Sequence, residues 1–211
     1  MRRPALAALA GTKVLVGECR VDSAEVTVAS ETRQKLATAL KEQLQTAPID
    51  RLTVSGLAAA AGINRQTFYY HFTDVYDLAV WVFDQDFANH IMAHATYDHW
   101  AQGYRSLLHY IRDNYTQSMA VLNSLTHRER DAFFLRQFQA MMTPIVAELQ
   151  GDLVISDEDS RFVIDHYAAT VLGHFLQWLS EGAREDPDVL APKIEKILRG
   201  SVRQSLERFA Q

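Results

Sequence analysis

The stretch Thr53-Val-Ser-Gly-Leu-Ala-Ala-Ala-Ala-Gly-Ile-Asn-Arg-Gln-Thr-Phe-Tyr-Tyr-His-Phe72 decides how the whole chain is read. Thr53 is placed to cap a short helix through Ala60, Gly62 breaks it, and Asn64 caps a further helix to about His71. Two short helices joined by a glycine turn form a helix-turn-helix. The small Ala58 and Ala59 let them approach closely, and Ile63 plugs the junction. Phe68 and Phe72 stand four apart and face inward, leaving Arg65, Gln66, Thr67, Tyr69 and Tyr70 around the outer side. In a major groove an Arg can grip guanine and a Gln adenine, while Thr, Tyr and His hydrogen-bond to phosphate oxygens.

Working outward, Leu36, Leu40 and Leu44 repeat every four residues and predict a helix from the N-cap Ser30 to Pro48. Thr73 or Asp74 starts a helix that carries Leu78, Trp81 and Val82 inward and runs to roughly His94. Further helices are expected over 103–123 (Tyr104, Leu107, Leu108, Ile111) and 130–149 (Phe134, Phe138, Met141, Met142, Ile145). Pro144 either kinks the second of these or opens a new helix capped by Thr143. Ser156 with Asp159 resembles an acidic capping box for a helix through Leu179 that closes at Gly182. A last helix, starting at Asp186-Pro187 or Ala191-Pro192, ends near Phe209. The expected fold is all-α: an N-terminal three-helix head over 30–76 containing the helix-turn-helix, and a C-terminal helical bundle over 77–211.

Residues 1–29 are Ala- and Val-rich without helical periodicity, with a loose alternation from Val21 to Val28, and read as a poorly ordered extension. The apolar run Ala5 to Ala10 is too short for a secretory leader of about 7–15 apolar residues. The single Cys19 offers no internal disulfide and no thiol cluster, so a cytoplasmic protein is expected. With 211 residues, 48% apolar, the chain can bury a sizeable core. Its net charge of −5 does not by itself advertise nucleic acid.

The Thr-Val start, the Ala-Gly turn and the Phe-Tyr-Tyr-His-Phe ending resemble the signature of the TetR family of bacterial regulators. Thr32-Arg33-Gln34, Tyr76-Asp77-Leu78 and Trp178-Leu179 resemble its dihydroxyacetone-kinase operon subgroup. The resemblance implies a DNA-binding regulator, by default a repressor. Its homodimer would hold a pseudo-palindromic duplex operator and answer a small-molecule effector. Thr53 and Tyr70 would hold phosphates, His71 would help at the backbone, Arg65, Gln66 and Thr67 would approach base edges, and Tyr69 would do either. The residue-level alternative for the tyrosines is packing between helices, and for Arg65 a solvated charge. The chain departs from the family by having Thr73 and Val75 where a phosphate-anchoring Lys is common. From Glu31 to His94, five cations face seven carboxylates. Monomer affinity is therefore expected to be modest, its salt dependence shallow, and dimerisation needed for strength.

In the body, Ala169 and Gly173 are small residues one turn apart on a helix apolar on several sides. With Trp178, and with Ile194 of the last helix, they suit a two-fold helix packing, or else a central helix buried in a monomer. Tyr104, Phe134, Phe138 and Tyr167 are candidates for an apolar effector cavity, or plain core. Asp86, His90 and His94 recur every four residues, with His99 nearby. That is a Zn²⁺ spacing, but a structural or solvated role accounts for it better, so no metal or cofactor is assigned. No nucleophile, base and oxyanion donor come together, and no enzyme is expected. The alternative to a regulator is a helical ligand- or partner-binding module that has lost useful DNA affinity.

Overall fold

The entries of the two helix-turn-helix helices and of the helix that follows them are each fixed by a side chain accepting a backbone N–H. Thr53 Oγ1 accepts from Gly56 (3.1 Å), Asn64 Oδ1 from Thr67 (2.8 Å) and Asp74 Oδ1 from Asp77 (2.9 Å). The computed structural model describes residues 23–210, and of residues 23–28 only the backbone. The head comprises α1 (Ser23–Leu44), a 3-10 turn (Ile49–Arg51), α2 (Val54–Ala60) and α3 (Arg65–His71). Then follow α4 (Val75–Met92), α5 (Trp100–Asp113), α6 (Tyr115–Asn123), α7 (His127–Gln150), α8 (Asp157–Ser180), α9 (Pro187–Leu198) and α10 (Ser201–Phe209). Among the described residues there is no strand, and the fold is all-α. No helix among the described residues is long and apolar enough to cross a membrane.

Helix α1 begins at Ser23, not near Ser30, so the strand-like alternation is helical from Ser23 to Val28. Once Leu36 and Leu40 are buried at 0% and 1% exposure, each added turn costs only the weak β-bias of Val26, Thr27 and Val28. The remainder of the expected N-terminal extension, with Cys19 and the leader-like run, lies outside the described residues. Between α2 and α3 the chain reverses at Gly62 (φ 68°), where Ile63 N–H donates to Ala58 O (2.9 Å) and Gly62 N–H to Ala59 O (3.1 Å). This αL closure satisfies carbonyls at the end of α2.

Two segments expected as single helices are each divided in two. Over 103–123 the chain breaks at Asn114 (φ −114°, ψ 32°), whose amide donates to Tyr110 O (2.9 Å). The last helix breaks at Gly200 (φ 82°), where the backbone N–H meets the Tyr97 hydroxyl (3.1 Å). Pro144, by contrast, does not divide α7, which starts at His127 behind a Thr126/Glu129 capping box. Thr143 donates its hydroxyl to Gln139 O (2.8 Å) one turn back instead of capping a new helix.

The core is continuous from head to body. Helix α4 turns Leu78 and Val82 toward α1 and carries Phe87 into a set of aromatic rings. Phe87 lies 5.3 Å from Phe134, 5.7 Å from Phe138 and 6.0 Å from Phe175. Gly103 of α5 lies so close to α4 that a Cβ there would stand 2.8 Å from His90 O and 3.1 Å from Ile91 O. Replacing Gly103 by Ala must push two backbones apart. Denaturant unfolding of Gly103→Ala is expected to show a loss of about 1–3 kcal/mol; unchanged stability would mean that the two helices do not pack this closely.

Candidate nucleic-acid interface

Helix α3 reads Arg-Gln-Thr-Phe-Tyr-Tyr-His and contains no acidic residue. Phe68 is fully buried and anchors it, with Phe72 5% exposed at its C-terminus. The opposite side is open: Tyr70 is 83% and Tyr69 51% exposed, and Arg65 and Gln66 are exposed as well. These values remove the packing alternative for both tyrosines. Arg65 sits over the Tyr69 ring (5.9 Å to its centre) and reaches the Tyr69 hydroxyl at 3.4 Å, which holds the guanidinium along the helix rather than leaving it free. Thr53 lies exposed at the mouth of α2, its hydroxyl oxygen already accepting from Gly56. Thr67 donates its hydroxyl to Asn64 Oδ1 (3.1 Å), so its methyl is the part left to meet a base.

His71 is half-buried. Burial and the nearby Arg33 guanidinium hold its pKa below the ordinary histidine value, leaving it neutral at pH 7. Arg33, noticed in the sequence only as a charge, is thereby placed beside α3. The acidic count of the head is also redistributed. Asp86 accepts from Lys41 (2.6 Å) and Tyr110 (2.9 Å), and Asp84 from Gln137 (2.6 Å), all away from α3. Asp74 and Asp77 are engaged in capping α4.

The other candidate residues separate into distinct groups. On α8, Ala169 and Gly173 are exposed, and a Cβ on Gly173 would meet nothing within 4 Å. Phe162, 60% exposed on the same helix, packs edge-on against Phe209 of α10 at 6.0 Å. Trp178 and Ile194, expected beside Ala169 and Gly173 at an interface, are each only 2% exposed within the protomer. The Trp178 indole donates to Glu185 O (2.9 Å), tying α8 to the start of α9, and Ile194 fills the core beneath. Neither is surface for a partner.

Tyr104, Phe134 and Phe138 are fully buried, ring against ring, and the Tyr104 hydroxyl has no hydrogen-bond partner. Tyr167 lies apart from them, its hydroxyl 2.8 Å from Ser205 Oγ on α10. A cavity of about 290 Å³ opens elsewhere, between α1, α4 and the α5–α6 junction, among residues that the sequence reading did not connect. The His spacing on α4 makes no metal cluster: Asp86 is committed to Lys41 and Tyr110, and His90 Nδ1 lies 2.8 Å from Ser106 Oγ. Among the described residues His109, Asp186 and Asp188 do converge, but Arg105 and Arg112 already pair with the two carboxylates.

Comparison with known proteins gives the same picture. The family described as bacterial regulatory proteins, tetR family, matches residues 36–80. A second model, a transcriptional regulator C-terminal region of the same family, matches residues 98–200. The HTH-type dhaKLM operon transcriptional activator DhaS of Lactococcus lactis is 28% identical over 144 residues, 66% of this chain and 75% of that protein. Among solved structures, a dihydroxyacetone kinase operon activator DhaS has a TM-score of 0.57 at 23% identity, covering 85% of this chain and 98% of its own. The TetR family repressor AlkX of a Dietzia species has a TM-score of 0.58 at 19% identity, covering 85% of this chain and 98% of its own, and shares the fold. Head and body are thus matched separately by one family, and this chain belongs to the TetR family of DNA-binding transcriptional regulators.

Proposed function

We propose that the chain acts as a homodimer that lays its two α3 helices into successive major grooves of a pseudo-palindromic operator, about 34–36 Å apart. The observation that carries this reading is the exposed, acid-free side of α3. Arg65, Gln66 and Thr67 meet base edges from the first turn, Thr53, Tyr70 and His71 hold phosphates, and Tyr69 steadies Arg65. The head takes in residues 30–76, and 77–211 serve dimerisation and response to a small-molecule effector.

The dimer surface is the α8 stripe of Phe162, Ala169 and Gly173, extended by Phe209. Small residues there allow two copies of α8 to cross closely, as in other helical interfaces. The default output is repression relieved by the effector. Activation is a second reading, favoured by the similarity to the activator DhaS in Lactococcus lactis. Reporter transcription with and without the regulator separates the two, rising on removal of a repressor and falling on removal of an activator.

Selection of bound fragments from a random duplex library should return a palindrome. Arg65→Ala should lose about 1–3 kcal/mol and relax one base position. Tyr70→Phe should weaken all sequences alike by about 1.5–3 kcal/mol, the worth of a hydrogen bond to a charged group. No enrichment by the intact protein would transfer the reading to a partner- or ligand-binding module.

Ala169→Glu places a charge on an exposed surface of the protomer. Sedimentation is expected to show a folded monomer with operator binding lost; a dimer that survives would place the two-fold axis elsewhere.

His71 provides a test by pH. Phosphate contact favours its protonated form, so the complex takes up a proton that the free protein lacks, and affinity must rise as pH falls. The rise begins as pH falls through the His71 value in the complex and levels off only below the free value, which burial and Arg33 hold below normal. Anisotropy titrations of His71→Gln should lose this slope; an identical slope would remove His71 from the interface.

A further inference from the structure

The cavity of about 290 Å³ lies where the head meets the body. Leu40 and Lys41 come from α1, Phe83 and Asp86 from α4, Tyr110 from α5 and Val121 from α6. Leu40, Phe83 and Val121 are buried core residues and supply an apolar floor. Polar groups converge on one side: the Asp86 carboxylate, whose side chain is only 13% exposed, accepts from the Lys41 ammonium (2.6 Å) and the Tyr110 hydroxyl (2.9 Å). Gln45 and Gln117 add amides, and the buried Ser118 adds a hydroxyl.

Size and charge define the occupant. At about 30 Å³ each, the volume of a liquid water, the space takes on the order of ten non-hydrogen atoms. Binding pockets run from about 300 Å³ upward, so this one suits a compact ligand. Among the described residues the only charges lining it, Lys41 and Asp86, already neutralise each other. A charged ligand would bring an ion that nothing in the wall balances, or would strip one partner from a half-buried pair, and both are costly. A neutral molecule with an apolar body and one or two hydroxyl or carbonyl groups meets apolar floor and polar flank together.

We propose that this α1–α4–α6 cleft is a binding site for a small, neutral, amphipathic molecule, and that its occupancy sets how the head sits on the body. The second half rests on the regulator reading given above. Any occupant touches α1 and α6 at once across α4, so its binding free energy depends on their separation. A ligand with unequal affinity for two head positions must shift their populations. The cleft is distinct from the closed aromatic core of Tyr104, Phe134 and Phe138.

The test titrates hexane-1,2-diol, hexylammonium and hexanoate, which share one body and differ in the head group, into methyl-labelled protein and into Gln117→Phe. Gln117 is half-buried at the cleft and remote from α3, so phenylalanine can fill the space without touching the reading helix. Expected are saturable shifts of the Val82 and Val121 methyls with the diol, weaker binding of both ions, and loss of the diol shifts in Gln117→Phe. Duplex affinity of the wild-type protein should change at least about fivefold with the diol, the lower end of ordinary coupling, and that of the variant should not. No saturable diol shift, or one unchanged in Gln117→Phe, overturns the site. Tighter binding of either ion overturns the ligand class, and saturable binding with duplex affinity constant overturns the coupling. A wild-type protein that holds no duplex with or without diol fails the regulator reading instead, and the methyl shifts still decide the site.

Discussion

Helix α4 is buried on two fronts, and the architecture follows from that constraint. Its first turns give Leu78, Ala79 and Val82 to the head, and its later turns give Phe83, Phe87 and Ile91 to the body, all at 6% exposure or less. Phe87 alone stands against the rings of Phe83, Phe133, Phe134, Phe138 and Phe175. A helix locked in this way cannot slide without disturbing close packing at both ends. Head and body are two regions of one hydrophobic core, and motion between them must pass through α4.

Gly103 tightens this arrangement, because its missing side chain lets α5 lie directly on the carbonyls of His90 and Ile91. One turn earlier on α4, Lys41, Asp86 and Tyr110 bind α1, α4 and α5 through one carboxylate. The α4–α5 contact is thus closed by backbone at one end and by a polar junction beside open space at the other.

What the sequence discloses is governed by distance along the chain. Caps act within four residues, so Thr53, Asn64 and Ser156 were legible and each accepts a backbone N–H at its helix start, while Asp74 takes the role left open between Thr73 and Asp74. The helix-turn-helix was legible for the same reason. The breaks at Asn114 and Gly200 were not, because the apolar periodicity continues through both and only the backbone registers the interruption. Composition distinguished the small residues Ala169 and Gly173, which are exposed, but could not tell that Trp178 and Ile194 are consumed by the protomer's own core. Asp86 drew notice as one of three evenly spaced polar residues on α4. Its real partners, Lys41 and Tyr110, stand 45 and 24 positions away, beyond the reach of any periodicity.

The scarcity of cations among the described residues around α3 bears on how such a regulator spends its time in a cell. Proteins rich in Lys and Arg remain on genomic DNA almost continuously, held by released counterions whatever the sequence. Here Lys41 is drawn toward Asp86, and Arg65 leans along Tyr69. Occupancy of random DNA is then low, and the free pool stays large. What matters for such a protein is the ratio of operator to background binding rather than absolute tightness.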